Sequence, residues 1–254
     1  MIRSLLIWCA VGVYTMGVAT LALAAWMLPG GRDRSERYIP RWARGVLRIA
    51  GVPTRIEGLG HFEEVGPCVV VANHESALDI PGCLSHLPGR VRMMAKESLF
   101  RVPIFGWLLR LEGFVPVDRK RIHKARRSVA PAERALSRGM RLFVFPEGTR
   151  SRTGELGVFK TGAFRIALSA GVPVVPVCIV GAREILSARA VRLRPGAITV
   201  VVGPPIPTLG RRAEDRHAIR SEARDWIATT KARYAGSSPK GMSSPGSGDE
   251  VGGG

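Results

Sequence analysis

Between Leu5 and Leu28 the chain carries no charged residue, and no other feature narrows the possible folds as much. Crossing a hydrocarbon core of about 30 Å takes roughly 20 apolar residues at ~1.5 Å of rise each, and the run reaches that length before Pro29, Gly30 and Gly31 end it. It is therefore read as a membrane segment. A cleaved leader is the competing reading, with Ala22-Leu23-Ala24 as a cleavage site, but the run exceeds the ~7–15 apolar residues of a leader's core. Arg3 stands alone before the run, whereas Arg32, Arg34, Arg37, Arg41 and Arg44 follow it. The positive-inside tendency then puts the bulk of the protein at the cytoplasmic face of the cell inner membrane.

From Ile39 to Ala50 apolar residues recur at helical spacing among Trp42, Arg41, Arg44 and Arg48. Such a helix either lies in the headgroup layer, its arginines snorkelling to phosphates, or packs on a soluble domain. The expected organisation is an N-terminal membrane anchor over 1–50, with one apolar and one amphipathic helix, and a folded domain over 51–235. Residues 236–254 are Gly, Ser and Pro with scattered charge, too polar to repay the entropy of ordering, and are expected to be a disordered tail.

Within 51–235, short valine-rich runs alternate with helical patterns, and each run ends in a polar cluster. Val69-Val70-Val71-Ala72 leads into Asn73-His74-Glu75-Ser76-Ala77-Leu78-Asp79. Val91 to Ala95 ends at Lys96, Phe114 to Val117 at Asp118 and Arg119, and Arg141 to Phe145 at Pro146-Glu147-Gly148-Thr149-Arg150. Val172 to Val180 and Ala197 to Val202 supply two more strands, and Arg211 to Tyr234 a helix with one apolar stripe. This alternation predicts an α/β fold: a mixed, largely parallel central sheet flanked by helices, with the membrane-associated helical segment at its N-terminus. Ligands of such sheets collect beyond the carboxyl ends of the strands, where His74 falls. Pro81 is tolerated only in the first turn of a helix, so the helix after His74 starts near Leu78 and Asp79 sits beside its start. A carboxylate turned back onto the imidazole would fix its tautomer and stabilise the imidazolium formed when it takes a proton, the arrangement of a general base.

Four blocks occur in the order of one known family. Asn73-His74-x4-Asp79, Gly113 to Arg119, Phe145-Pro146-Glu147-Gly148-Thr149-Arg150-Ser151 and Val172 to Val177 resemble the motifs of the glycerolipid acyltransferases, specifically the 1-acylglycerol-3-phosphate (lysophosphatidate) acyltransferases. The resemblance spans about residues 40 to 205. Pro116 departs from it, standing where the family more often has a large β-branched or aromatic residue. It implies transfer of a fatty acyl group from acyl-CoA or acyl carrier protein to the sn-2 hydroxyl of lysophosphatidate, giving phosphatidate in phospholipid biosynthesis. His74 would be the base and Asp79 its orienting partner, with Lys96, Arg119, Glu147, Gly148, Thr149 and Arg150 holding the glycerol phosphate; a carboxylate beside an anion reads better as bracing an arginine or the loop, and that is the alternative for Glu147. The acyl donor is a substrate; no cofactor and no metal are implied. The same blocks serve other acceptors, so glycerol 3-phosphate or another lysolipid stays open as the acceptor. A reading of a different class, a non-catalytic basic membrane adaptor, is opposed by the intact His74 and Asp79.

A net charge of +18 calls for an anionic partner. The arginines are scattered, and no zinc-finger spacing, aromatic RNA-binding block or helix-turn-helix pattern accompanies them, so a membrane lipid surface fits and nucleic acid does not. Cys9, Cys68, Cys83 and Cys178 lie far apart without a Cys-x-x-Cys pair. They read as small buried hydrophobes, neither metal ligands nor nucleophiles.

Overall fold

Strand β2 (Val69–Ala72) is buried along its whole length, as a parallel strand covered on both faces must be. The computed structural model describes residues 1–117 and 129–235. Arg119, its basic neighbours and the tail over 236–254 lie outside the described residues. One sheet takes in β1 (Thr54–Glu57), β7 (Ile198–Val202), β6 (Val174–Val180), β2, β5 (Arg141–Val144), β3 (Val91–Lys96) and β4 (Val115–Val117), in that spatial order. β2 runs parallel to both neighbours, Val70 lying level with Phe143 on one side and Val175 on the other. β3 is parallel to β5 and β4, and β1 to β7, while β6 and β7 are antiparallel. The sheet is thus mixed and largely parallel, and β2, β5, β3 and β4 all deliver their carboxyl ends to one edge. Pro116 sits in β4 at the end of the sheet order, a position where its missing amide hydrogen costs no ladder bond.

Side chains alternate across a strand, so each strand feeds two cores. Val70, Ala72, Phe143, Val175 and Val177 face one way. Val69, Val71, Leu142, Val144 and Val174 face the other, among residues of α7 (Val129–Ser137), α8 (Gly162–Ala170) and α10 (Arg216–Ala235). In α10 the stripe expected to be core is core at Ile219, Ala223, Ile227 and Thr230. The helix starts at Arg216, later than the pattern implies, because Arg212 to Asp215 form a tighter turn in which the Arg212 amide donates to Asp215 Oδ2 at 2.7 Å.

Three helices, where the sequence pattern implies two, precede the sheet: α1 (Ile2–Trp26), α2 (Gly31–Glu36) and α3 (Tyr38–Ala50). Ala43, Leu47 and Ala50 of α3 belong to the same core as β2 and β6, so residue 50 is a boundary in sequence but not in packing. α1 lies along the domain. Near its start the Leu193 amide donates to Ser4 Oγ at 3.1 Å and Trp8 Nε1 to the Val191 carbonyl at 2.8 Å. Midway, Trp42 Nε1 donates to Thr15 Oγ1 at 3.0 Å. Beyond its far end, α2 is pinned to β3 and the turn before it: Arg90 binds Asp33 at 2.6 Å and Glu36 at 2.8 Å, and the buried Arg92 binds Glu36 at 2.8 Å and Glu112 at 2.9 Å. Outward, α1 presents an apolar surface to solvent, with Leu6 64% and Val13 76% exposed.

Candidate active site

The loop that leaves β2 carries His74, and α5 (Asp79–Leu84) begins five residues later, with Pro81 in its first turn as expected. Asp79 is buried, and its Oδ2 accepts three hydrogen bonds: from His74 Nδ1 at 2.8 Å, the Glu75 amide at 2.7 Å and the Ser76 amide at 2.8 Å. With Nδ1 donating to the carboxylate, the lone pair of the ring is on Nε2. Phe145, at the end of β5, fixes the ring plane by stacking on it at 3.9 Å between centroids and 13° between planes. A buried imidazole so oriented and partnered can accept a proton at Nε2 and be stabilised as it does.

The segment after β5 holds the histidine by its backbone. Glu147 Oε1 accepts from the His74 amide at 2.8 Å and Oε2 from the Gly157 amide at 3.0 Å, while the Ser151 amide donates to the His74 carbonyl at 2.7 Å. Burial pushes the Glu147 carboxyl above the usual range, and the two backbone donors oppose that rise. The oxygens of Glu147 face the protein's own amides, and an acceptor-only group so placed braces the loop, as a carboxylate beside an anion site is expected to. The Gly148 amide donates to the Phe145 carbonyl at 3.0 Å, so it is not aimed at an anion. Glycine suits that position because φ is +75°, a conformation that strains a residue with a Cβ.

His74 opens on a cavity of about 460 Å³ between the sheet edge and the N-terminal helices, within the ~300–1,000 Å³ of typical small-molecule sites. Its walls are mostly apolar and come from distant parts of the chain, among them Val18, Trp42, Ile80, Met93, Leu108 and Phe145. Lys96 and Arg150 also line it, so the structure brings both cations to the same cavity as His74. Thr149 is exposed next to Arg150. Arg119 lies outside the described residues.

Pattern reasoning passed over three residues that shape this loop. Asn73 mimics a strand, its Oδ1 accepting from the Ile179 amide at 2.8 Å and its Nδ2 donating to the Ile179 carbonyl at 2.9 Å. Glu75, buried beside His74, is bonded by Lys231 of α10. Asn73 and Glu75 flank a recognisable histidine, whereas Lys231 follows a stripe that reads as core packing and gives no signal of its own. Cys68, Cys83 and Cys178 are buried as read, whereas Cys9 is exposed on the apolar outer side of α1; burial pushes the thiols of Cys68 and Cys178 up to about 12, so those two do not offer a thiolate.

A family model described as Acyltransferase matches residues 53–180. Over 213 residues the chain is 32% identical to the 1-acyl-sn-glycerol-3-phosphate acyltransferase alpha of Homo sapiens, an alignment covering 84% of this chain and 75% of that protein. The chain belongs to the acyltransferase family. This acyltransferase is also 31% identical over 226 residues to the beta form of Homo sapiens, covering 88% of this chain and 81% of that one. The crystal structure of the 1-acyl-sn-glycerophosphate (LPA) acyltransferase PlsC from Thermotoga maritima matches it with a TM-score of 0.77 at 26% identity, covering 91% of this acyltransferase and 96% of that chain. The matched residues 53–180 include His74, Asp79, Lys96 and the Glu147 to Arg150 segment. Much of the cavity wall, however, comes from α1 and α3, which precede them.

Proposed function

We propose that the protein moves a fatty acyl group from a thioester donor, acyl-CoA or acyl carrier protein, to the sn-2 hydroxyl of 1-acylglycerol 3-phosphate, giving phosphatidate. The observation that carries this reading is one cavity that joins a carboxylate-oriented histidine, two cations and a long apolar wall. These match the three parts of a lysophosphatidate: hydroxyl, phosphate and acyl chain. The hydroxyl proton goes to His74 Nε2 as its oxygen attacks the thioester carbonyl. The tetrahedral intermediate collapses by breaking the C–S bond, and the departing thiolate takes the proton back from the imidazolium. Asp79 keeps the ring in the required tautomer throughout. A positioned base contributes roughly 10²–10⁴ in rate, so orientation of the acceptor and stabilisation of the oxyanion supply much of the remainder. Lys96 and Arg150 hold the phosphate by charged hydrogen bonds, and the donor, already activated, reacts without an acyl-enzyme.

The protein works docked on a lipid surface, through the exposed apolar side of α1 and the exposed Trp107 of α6 (Phe105–Leu111). The start of α1 is held by the loop at Val191 to Leu193 and its far end leads into the pinned α2, which favours a helix lying in one leaflet over one that leaves the domain to cross. The arginine bias after α1 favours the cytoplasmic face of the inner membrane. Purified protein in mixed micelles, given labelled acyl-CoA or acyl carrier protein, tests the reading against lysophosphatidate, glycerol 3-phosphate and monoacylglycerol. Labelled phosphatidate from the first acceptor alone is expected; labelling of glycerol 3-phosphate in preference would reassign the acceptor.

A further inference from the structure

The last helix reaches the histidine loop from a part of the chain outside the motif blocks. Lys231 Nζ, on α10, donates to Glu75 Oε1 and to the Gly154 carbonyl in the segment after β5. The side chain of Glu75 is 8% exposed and that of Lys231 25%. Asn73 Nδ2 donates to the same Glu75 oxygen at 3.2 Å, and the Glu75 amide donates to Asp79 Oδ2 at 2.7 Å. Three carboxylates therefore converge on the backbone around His74: Glu75 itself, Asp79 from α5 and Glu147 from after β5. Among the described residues Lys231 is the lysine or arginine ion-paired with any of them. Lys96 and Arg150 are the cations that line the cavity.

A base must be unprotonated when its substrate arrives. Each uncompensated carboxylate beside an imidazole favours the imidazolium and so works against that. A buried carboxylate left without a cation is also unfavourable in itself. Burial pushes the Glu75 carboxyl up, and Lys231 is the strongest influence opposing this, while the charge of Glu75 in turn raises Glu147. Glu75 is thus coupled to both other acids, and Lys231 is the cation paired with it.

We propose that Lys231 is a positioning residue: paired with Glu75, it fixes the loop after β2 and offsets one carboxylate there, so that His74 stays unprotonated and aimed into the cavity. The inference rests on His74 being the base of the proposed reaction. It differs from a plain structural staple in one respect. Removing the cation and removing the carboxylate must move His74 in opposite directions, whereas loss of a staple would not.

The full-length protein in detergent micelles, with labelled histidine, allows the His74 ring to be titrated by NMR, its resonance picked out from those of the five histidines by its loss in His74→Ala. Lys231→Met should raise the His74 pKa by ~0.5 unit or more and Glu75→Gln should lower it by a similar amount. The double variant should return it to the wild-type value, and Lys231→Arg should leave it there. With lysophosphatidate and acyl-CoA, Lys231→Met should lower kcat by ~10-fold or more while KM for the acceptor stays within about twofold. The acid limb of its rate profile should shift with the NMR value, and Lys231→Arg should recover turnover. Should Lys231→Met fail to fold, Glu75→Gln and the double variant still decide the direction of the shift. Single variants that leave His74 unmoved, or move it the same way, overturn the proposal. The expected opposite shifts in a protein that acylates none of the acceptors would sustain the charge coupling and sink the acyl-transfer reading instead.

Discussion

The pair His74 and Asp79 and the group Lys96, Thr149 and Arg150 are built by opposite rules. The first pair is buried. Asp79 Oδ2 takes three hydrogen bonds, the His74 ring is stacked on Phe145, and the His74 peptide is bonded at both its amide and its carbonyl. The second group is exposed in all three members, and Lys96 and Arg150 line the cavity. Proton transfer needs a ring held within a fraction of an ångström, which a packed and hydrogen-bonded surround supplies. Recognition of a charged headgroup needs long cationic side chains that can reach water until the anion displaces it. On the proposed function, the chemistry sits in the loop leaving the central strand of the sheet, and recognition among exposed cations.

The largest effect expected from this division is loss of the base. His74→Ala should cut kcat by ~10²–10⁴ while leaving acceptor binding nearly unchanged, because the proton is transferred only in the transition state; single-turnover rates beside equilibrium binding of lysophosphatidate check both halves of the statement. Arg150→Ala should act the other way round, raising KM for lysophosphatidate roughly 10- to 100-fold, the worth of a lost charged hydrogen bond of ~1.5–3 kcal/mol. Monoacylglycerol, which has no phosphate, makes the contrast sharp: wild type should use it poorly, and Arg150→Ala should lose little more. Equal losses on both acceptors would remove Arg150 from the phosphate site and leave Lys96 or Arg119 to hold it.

Glu147 sits on the seam between the two groups. By motif it stands next to Gly148 and Arg150; by geometry it belongs with His74. Glu147→Gln keeps the shape but turns one acceptor into a donor against an amide, so kcat should fall ~10-fold or more, the cost of a buried bond of ~1–3 kcal/mol, with KM little changed. A rise in KM without loss of turnover would place Glu147 in the acceptor site instead. At the small end, treatment with EDTA should leave the rate unchanged, since neither the base nor the cationic rim is assigned a metal. Activity lost to the chelator and restored by zinc would break the division altogether.

Much of this was legible in the chain. The apolar run of α1, the buried parallel pattern of Val69 to Ala72, and the placement of His74 and Asp79 around a helix that Pro81 forces to start near Leu78 all depend on neighbours in sequence, where periodicity and backbone restriction act directly. The uncharged run was equally clear, yet its length could not say what it touches: that Val191 and Leu193, far along the chain, meet Trp8 and Ser4 is visible only in the fold. For Glu147 the bracing role was legible but its partners were not: a motif shows that a carboxylate is present, not which amides it faces. Lys231 left no local trace, because its partner Glu75 lies 156 residues away and becomes its neighbour only when α10 packs on the sheet. What the sequence determined by itself are the elements and the reactive side chains they carry. What only the tertiary structure decided is which side chains share a cavity, a charge or a hydrogen bond, since those contacts join residues whose separation in sequence carries no periodic signal.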